Sequence, residues 1–170
     1  MDWLTTLRRS GGINALSRQI GVSPAEVAAG AEALLVPLIG GLRRRADELG
    51  GDDAGVRALI NELFELGGGE LAAEVMSPAP LDNVAGDAIL ANALGPEVAR
   101  RAVVLEAERV SGVRQDVVER MLPGLAMLVG GYITARAGGS GAAGSAGLDN
   151  PGSLLDTLTT DGDHTDADRI

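Results

Sequence analysis

The sequence predicts an all-helical domain followed by a flexible acidic tail, and three observations predict it. Apolar residues recur at spacings of three and four through most of the first 137 positions, the period of helices with one packed face. No stretch alternates apolar and polar residues with β-branched enrichment, so strands are not expected. A long stretch also occurs twice: GVSPAEVAAGAEALLVPLIGGLRRRA from Gly21 to Ala46, and GVRQDVVERMLPGLAMLVGGYITARA from Gly112 to Ala137. With the pairs Gly40/Gly41 and Gly130/Gly131 aligned, Val27 falls on Val117, Leu35 on Leu125, Leu38 on Leu128 and Ile39 on Val129.

Taken in order, Trp3, Leu4 and Leu7 suit one short amphipathic turn ended by Ser10-Gly11-Gly12. A first clear helix runs over Ile13–Ile20, with Gly21 placed as a left-handed C-terminal cap. The next start signal is the best local one. Ser23 caps, Pro24 takes the first helical position, and Glu26 three residues after Ser23 completes a capping box, with Val22 and Val27 as its hydrophobic staple.

That helix is expected to reach about Leu49, although Gly30, Pro37, Gly40 and Gly41 lie inside it. An interior proline costs about 3 kcal/mol and each glycine about 1 kcal/mol against alanine. Burial of Leu34, Leu35, Val36, Leu38, Ile39 and Leu42, at about 1.5–3 kcal/mol each, offsets this only if neighbours cover the helix on most sides. The expectation is therefore a central helix buried all round and bent near Pro37.

Gly50-Gly51 closes that helix and Asp53 is the expected cap of another, Ala54–Leu66, whose packed face is Val56, Leu59, Ile60, Leu63 and Phe64. A short helix over Glu70–Met76 precedes a loop containing Pro78 and Pro80. Asp82 opens a helix ending at Gly95. Pro96 then starts Glu97–Val110, for which Val98, Ala102, Val103 and Val110 are the expected core positions. Gly112 ends it and the second copy begins, its core reading MLPGLAMLVGGYI around Pro123. Two proline- and glycine-containing central helices among about six to eight, crossing near their glycine pairs, follow from this order. The domain covers 1–137. Residues 138–170 read as a Gly/Ala/Ser-rich linker and a disordered acidic end.

Composition removes several functions. Cysteine is absent and the only histidine, His164, lies near the end of the tail, so a zinc site of Cys and His ligands fails on ligand count. The net charge of -10 disfavours nucleic acid, whose recognition needs clustered cations. All fourteen basic residues are arginine, which with abundant Ala and Gly suggests a bacterial coding sequence. The apolar runs are shorter than the roughly 20 residues a membrane span needs, and no signal peptide is legible at MDWLTTLRRSGG. The expectation is a cytoplasmic protein with no membrane span.

Four segments carry a family resemblance: LSRQIGVSPAEVAAGAEALLVPLIGGLRRRA, GDAILANALG, RRAVVLEAERVSGV and VVERMLPGLAMLVGGYI, together spanning most of Ile13 to Ala137. In these the chain resembles the YidB-like family of bacterial proteins, a domain of unknown function. The resemblance implies a multihelical fold with an internal repeat and brings no catalytic residues. The tail departs from it, lacking the repeated Gly-Leu-Leu runs associated with such proteins.

Candidate sites have bland and functional readings. Gly40/Gly41 and Gly130/Gly131 lie inside apolar helices without a phosphate-loop pattern, so with Pro37 and Pro123 they are assigned to helix packing in the core. Arg43, Arg44 and Arg45 form the only basic run and offer an anion patch, but acids follow at once and arginines complement a helix C-terminus. Glu62/Glu65, Glu70/Glu74 and Glu106/Glu108 fall on polar faces, where carboxylates lack the environment of acid–base catalysts. Asp161, Asp163 and Asp166 do not complete a calcium loop. Leu154, Leu155 and Leu158, beyond the flexible linker, are a candidate tethered docking peptide.

No nucleophile, base and oxyanion site assembles from these residues, and no cofactor is expected. The sequence favours a non-enzymatic helical interaction or scaffold module, self-associating or binding another protein. The alternative is a domain that binds a small apolar molecule or lipid in an internal pocket.

Overall fold

The computed structural model describes residues 3–142 apart from 69, 78, 80 and 81, with the backbone alone for 138–142. Among the described residues there are eight helices and no strand: α1 (Trp3–Ser10), α2 (Gly12–Ile20), α3 (Pro24–Glu48), α4 (Asp52–Leu66), α5 (Glu70–Met76), α6 (Val84–Leu94), α7 (Glu97–Ser111) and α8 (Gln115–Ala142).

Local chemistry sets most of these limits. The Ser23 hydroxyl accepts from the Glu26 amide at 3.2 Å, with Pro24 in the first turn. Gly21 and Gly112 end α2 and α7 in the left-handed region, at φ 77° and 78°, each donating its N–H back four residues, to Ser17 and Glu108. The Asp82 carboxylate accepts from the Val84 amide and opens α6. Asp53 does not cap α4: the helix starts two residues earlier than expected, at Asp52, with Gly51 in the cap position. The first segment is a full helix of 8 residues with Trp3 and Leu7 buried, since its apolar residues reach the core between α2 and α3. α8 continues five residues past the expected boundary at Ala137; the rest of the proposed linker and acidic tail, with His164, Asp161, Asp163 and Asp166, lies outside the described residues.

The helices α3 and α8 cross at the centre, and the crossing point differs from the expected one. A Cβ on Gly30 would fall 2.8 Å from the Met121 sulfur. In the alignment of the two copies Gly30 falls on Arg120 and Met121 on Ala31, so the two helices meet one residue away from equivalent positions. The glycine pairs serve other neighbours. At Gly41 a Cβ would lie 2.3 Å from the Ala93 carbonyl oxygen of α6, and at Gly131 2.6 Å from the Ala72 nitrogen of α5. Gly130 faces Ile89, Leu63 and Leu71. Gly40 meets nothing and is exposed.

Burial of the two copies is unequal. Every residue from Met121 to Gly131, Pro123 included, is buried. α3 is not covered all round: Glu32, Val36 and Gly40 form an exposed stripe, Val36 is 72 % exposed, and Pro37 is half-buried. The reason is the neighbours available. α5 and α6 pack on α8, whereas the helices that meet α3, namely α1, α2, α4, α6, α7 and α8, leave this stripe open. Helical hydrogen bonding is assigned through both prolines. Each proline deprives the carbonyl four residues earlier of its donor. Those carbonyls belong to half-buried Ala33 and exposed Glu119, where solvent is at hand.

α7 is also rotated from expectation. Its buried residues are Val104 and Ala107, with Val98 79 % and Val110 63 % exposed. The helix carries two apolar stripes, and periodicity alone does not say which one a neighbour covers. Phe64 leaves the packed face of α4 for the same reason and is half exposed, against Gly68.

These contacts separate two adjacent glycines. Gly40→Ala should raise stability by about 0.5–1 kcal/mol, since the site is open and alanine is the better helix former. Gly41→Ala should lower it by about 1–3 kcal/mol, because the added carbon meets backbone. Urea unfolding of the two variants measures both; equal effects would contradict the packing described.

Candidate functional site

An apolar groove of about 840 Å³ runs between α3 and α7, open to solvent. One wall is the uncovered stripe of α3, with Ala29, Ala33, Val36 and Pro37. The other is the α7 face carrying Ala102, Val103, Ala107 and Val110. Glu32 and Glu106 are its charged lining residues, and Glu106 is drawn to Arg109 at 2.6 Å. Small side chains keep the floor shallow, and the two exposed valines offer apolar surface that nothing in the described domain covers.

A second cleft, of about 650 Å³, is polar. Asp87, Glu97 and Glu119 line it with Arg100, Arg101 and Arg120. Its charges largely serve the fold: Arg100 pairs with Asp87 at 3.1 Å, and Arg120 donates to the Ile20 carbonyl, tying α8 to the end of α2. Acids and arginines balance there, so no strong field of one sign results.

The arginine run does not converge on an anion. Arg44 donates to the Ala93 carbonyl at 2.8 Å, satisfying a C-terminal carbonyl of α6 beside the close approach at Gly41. Arg45 forms a bidentate pair with Glu62 of α4 and also reaches Glu48. The hydrogen bond that Arg45 donates to Glu62 raises the Arg45 pKa above its ordinary value, against a smaller opposing effect of burial. The guanidinium therefore stays charged until far into alkali, and this stabilisation is lost only as pH rises through that range. Arg43 is exposed.

The acid pairs behave as surface groups. Glu62 is engaged by Arg45 and approached by Asn92 at 3.5 Å, while Glu65, Glu70 and Glu74 are exposed. Among the described residues no cluster of His, Asp or Glu has metal-binding geometry, and no buried side-chain nitrogen or oxygen lacks a hydrogen bond. The most deeply buried polar side chain, Thr134, returns its hydroxyl to the Gly130 and Gly131 carbonyls of its own helix. Leu154, Leu155 and Leu158 lie outside the described residues.

Of the predicted packing residues, Gly41, Pro123, Gly130 and Gly131 are in the core, whereas Pro37 lines the groove and Gly40 lies on the surface. Sequence reasoning missed the groove because it assigned both of its walls to the core. The available signal was the charge at Glu32 and Arg43, which bracket Val36 and Gly40 on one helical stripe; the aligned second copy has Leu122 and Ile133 there.

By length and composition α3 is apolar enough to cross a membrane, and a core helix meets the same description; 56 % of its apolar stretch is buried within the domain. In comparisons with known proteins, residues 2–136 match a family described as bacterial protein of unknown function (DUF937), and the chain belongs to this family, the YidB-like one. No curated protein and no solved structure matches it.

The divided roles of the arginines are measurable. Arg45→Ala should cost about 1.5–3 kcal/mol, the range for a hydrogen bond to a charged partner, while Arg43→Ala should stay within about 0.5 kcal/mol of wild type. Thermal and urea unfolding compare them; a larger loss for Arg43→Ala would contradict the assignment.

Proposed function

We propose that this member of the DUF937 family is a non-enzymatic helical interaction module, and that the α3/α7 groove takes a short apolar helix from a protein. The carrying observation is the groove itself: two packed helices expose apolar side chains, Val36 and Val110 foremost, on adjoining walls. A helix-in-groove mode needs such a surface and little else, since affinity comes from apolar anchors at spacings of three and four. Glu32 and Glu106 at the groove favour a partner with basic residues beside its apolar stripe. The reading as a module without catalysis draws on Glu62 and Glu106, tied to arginine, and on Glu65, Glu70 and Glu74, which are exposed.

The competing occupant is a small apolar molecule or lipid chain. The volume of the groove suits it, since ligand pockets run to roughly 300–1,000 Å³. Its openness favours the protein, because a ligand pocket encloses most of what it binds.

The test is capture from native bacterial cells with the full chain as bait, beside a Val36→Asp/Val110→Asp chain. Both positions are exposed, so the variant should fold. A specific partner should fall by about tenfold or more with the variant, as for loss of interface anchors. Recovery of the same proteins in equal amounts by both baits would overturn the groove as the binding surface. Extraction of a lipid or small apolar molecule from wild type alone would favour the competing occupant.

A further inference from the structure

The open stripe of α3 carries charge at both ends. Glu32, Val36, Gly40 and Arg43 are exposed along it, at steps of four, four and three residues that keep them on one side of the helix. Half-buried Ala33 and Pro37 border the stripe on the side of α7. Neighbouring charges are engaged within the domain: Arg44 holds the Ala93 carbonyl, Arg45 holds Glu62, and Arg109 holds Glu106. Among the described residues the side chains of Glu32 and Arg43 have no ion-paired or hydrogen-bonded partner. They stand eleven residues apart, about 16 Å along the axis at 1.5 Å per residue, too far to meet each other.

The stripe is complementary to itself. The midpoint between Glu32 and Arg43 falls between Pro37 and Leu38, and that between Val36 and Gly40 falls on Leu38. A two-fold axis crossing α3 there sets Glu32 against Arg43 and Val36 against Gly40 of an antiparallel second helix, and does so twice. A parallel pair in register would set glutamate on glutamate and arginine on arginine.

We propose that the protein bound at this face is a second copy of the chain, with α3 packed antiparallel on α3 about that axis. The proposal rests on reading the α3/α7 groove as a surface for a helix, and it names the helix.

Shape agrees with charge. A Cβ on Gly40 would meet nothing within 4 Å, so there is room above it for the second copy's Val36. The middle of the contact is then apolar, from Ala33, Val36 and Pro37 of both copies, with Val110 of α7 on the flank, and the two glutamate-arginine pairs close its ends. An apolar centre with a charged rim is the usual build of a reversible protein contact.

The one polar liability of the face also finds a partner. Pro37 leaves the Ala33 carbonyl without its helical donor, and an apolar occupant brings none. The second copy's Arg43, arriving opposite Glu32, comes beside this carbonyl, and a guanidinium has donors enough for both. A single pair of helices makes a small interface, so the dimer forms and dissociates with concentration.

Sedimentation equilibrium of the full chain over a range of concentrations should show monomer and dimer in exchange. Glu32→Arg and Arg43→Glu change exposed positions and should leave urea unfolding of the dilute chain unaltered. Each should weaken the dimer by about tenfold or more, because like charges then face each other at two places. Combining both substitutions in one chain restores the opposite pairs, and the dimer should return. An equimolar mixture of the two single variants should form the heterodimer, since each supplies the charge the other lacks. A chain that stays monomeric throughout would overturn the proposal. A dimer that neither reversal weakens, or that the combined variant fails to restore, would overturn it as well. Capture is scored separately. If the chain is monomeric but Val36→Asp/Val110→Asp loses a different bacterial protein or a lipid, the groove keeps its role and only the second copy is lost as occupant. If the chain is monomeric and capture is undiminished, both readings fail.

Discussion

Backbone meets backbone at four glycines, and the placement of the helices around α3 and α8 depends on it. A Cβ would fall 2.3 Å from the Ala93 oxygen at Gly41, 2.0 Å from the Ala46 oxygen at Gly55, 2.4 Å from the Pro123 oxygen at Gly86 and 2.6 Å from the Ala72 nitrogen at Gly131. None of these contacts survives a side chain larger than hydrogen. The glycines weaken the helices that carry them by about 1 kcal/mol each, so the helices persist through what the approach makes available: flanking leucines and valines, closed off from water on several sides. The close contact and the apolar burial are thus one device.

That device explains which parts of the architecture are legible in the sequence. Helix limits set by local chemistry are readable: Ser23 with Glu26, the left-handed Gly21 and Gly112, and Asp82 before Val84 all act where their residue types predict. The repeat is readable too, because its apolar positions and glycine pairs coincide. The partner of each glycine is not. Gly40 and Gly41 are adjacent and alike in composition, yet one faces solvent and the other Ala93, a difference fixed by the course of α6. Val98, Val110 and Phe64 fall outside the core on the same ground: periodicity marks an apolar stripe, and only a neighbouring helix decides whether that stripe is covered. The candidate groove was illegible for this reason, both walls having the composition of core.

The two copies have diverged at their ends more than at their centres. Leu35, Leu38 and Ile39 are buried, as are Leu125, Leu128 and Val129. On the stripe through Val36 and Gly40 the first copy has Glu32 and Arg43, where the second has Leu122 and Ile133. Charged ends on an otherwise small and apolar stripe suit a surface that is wet for part of the time, whereas leucine and isoleucine there suit permanent burial. The difference in exposure therefore has a counterpart in residue type, and the open face of α3 is a property of this sequence.

An uncovered apolar face is unfavourable in a monomer unless its chemistry limits the cost. Two features of the α3/α7 groove do so. Its walls are built largely from alanine and valine, so the apolar area exposed is small compared with the leucines of the α8 core. Its proline places a deprived carbonyl, that of Ala33, beside open solvent, where burial would have left it without a donor. Permanent cover over this face would therefore gain less than the cover α5 gives α8, since part of its apolar gain would be spent on desolvating that carbonyl. A shallow apolar face with one polar liability therefore loses less by standing open than the leucine-rich surface of α8 would.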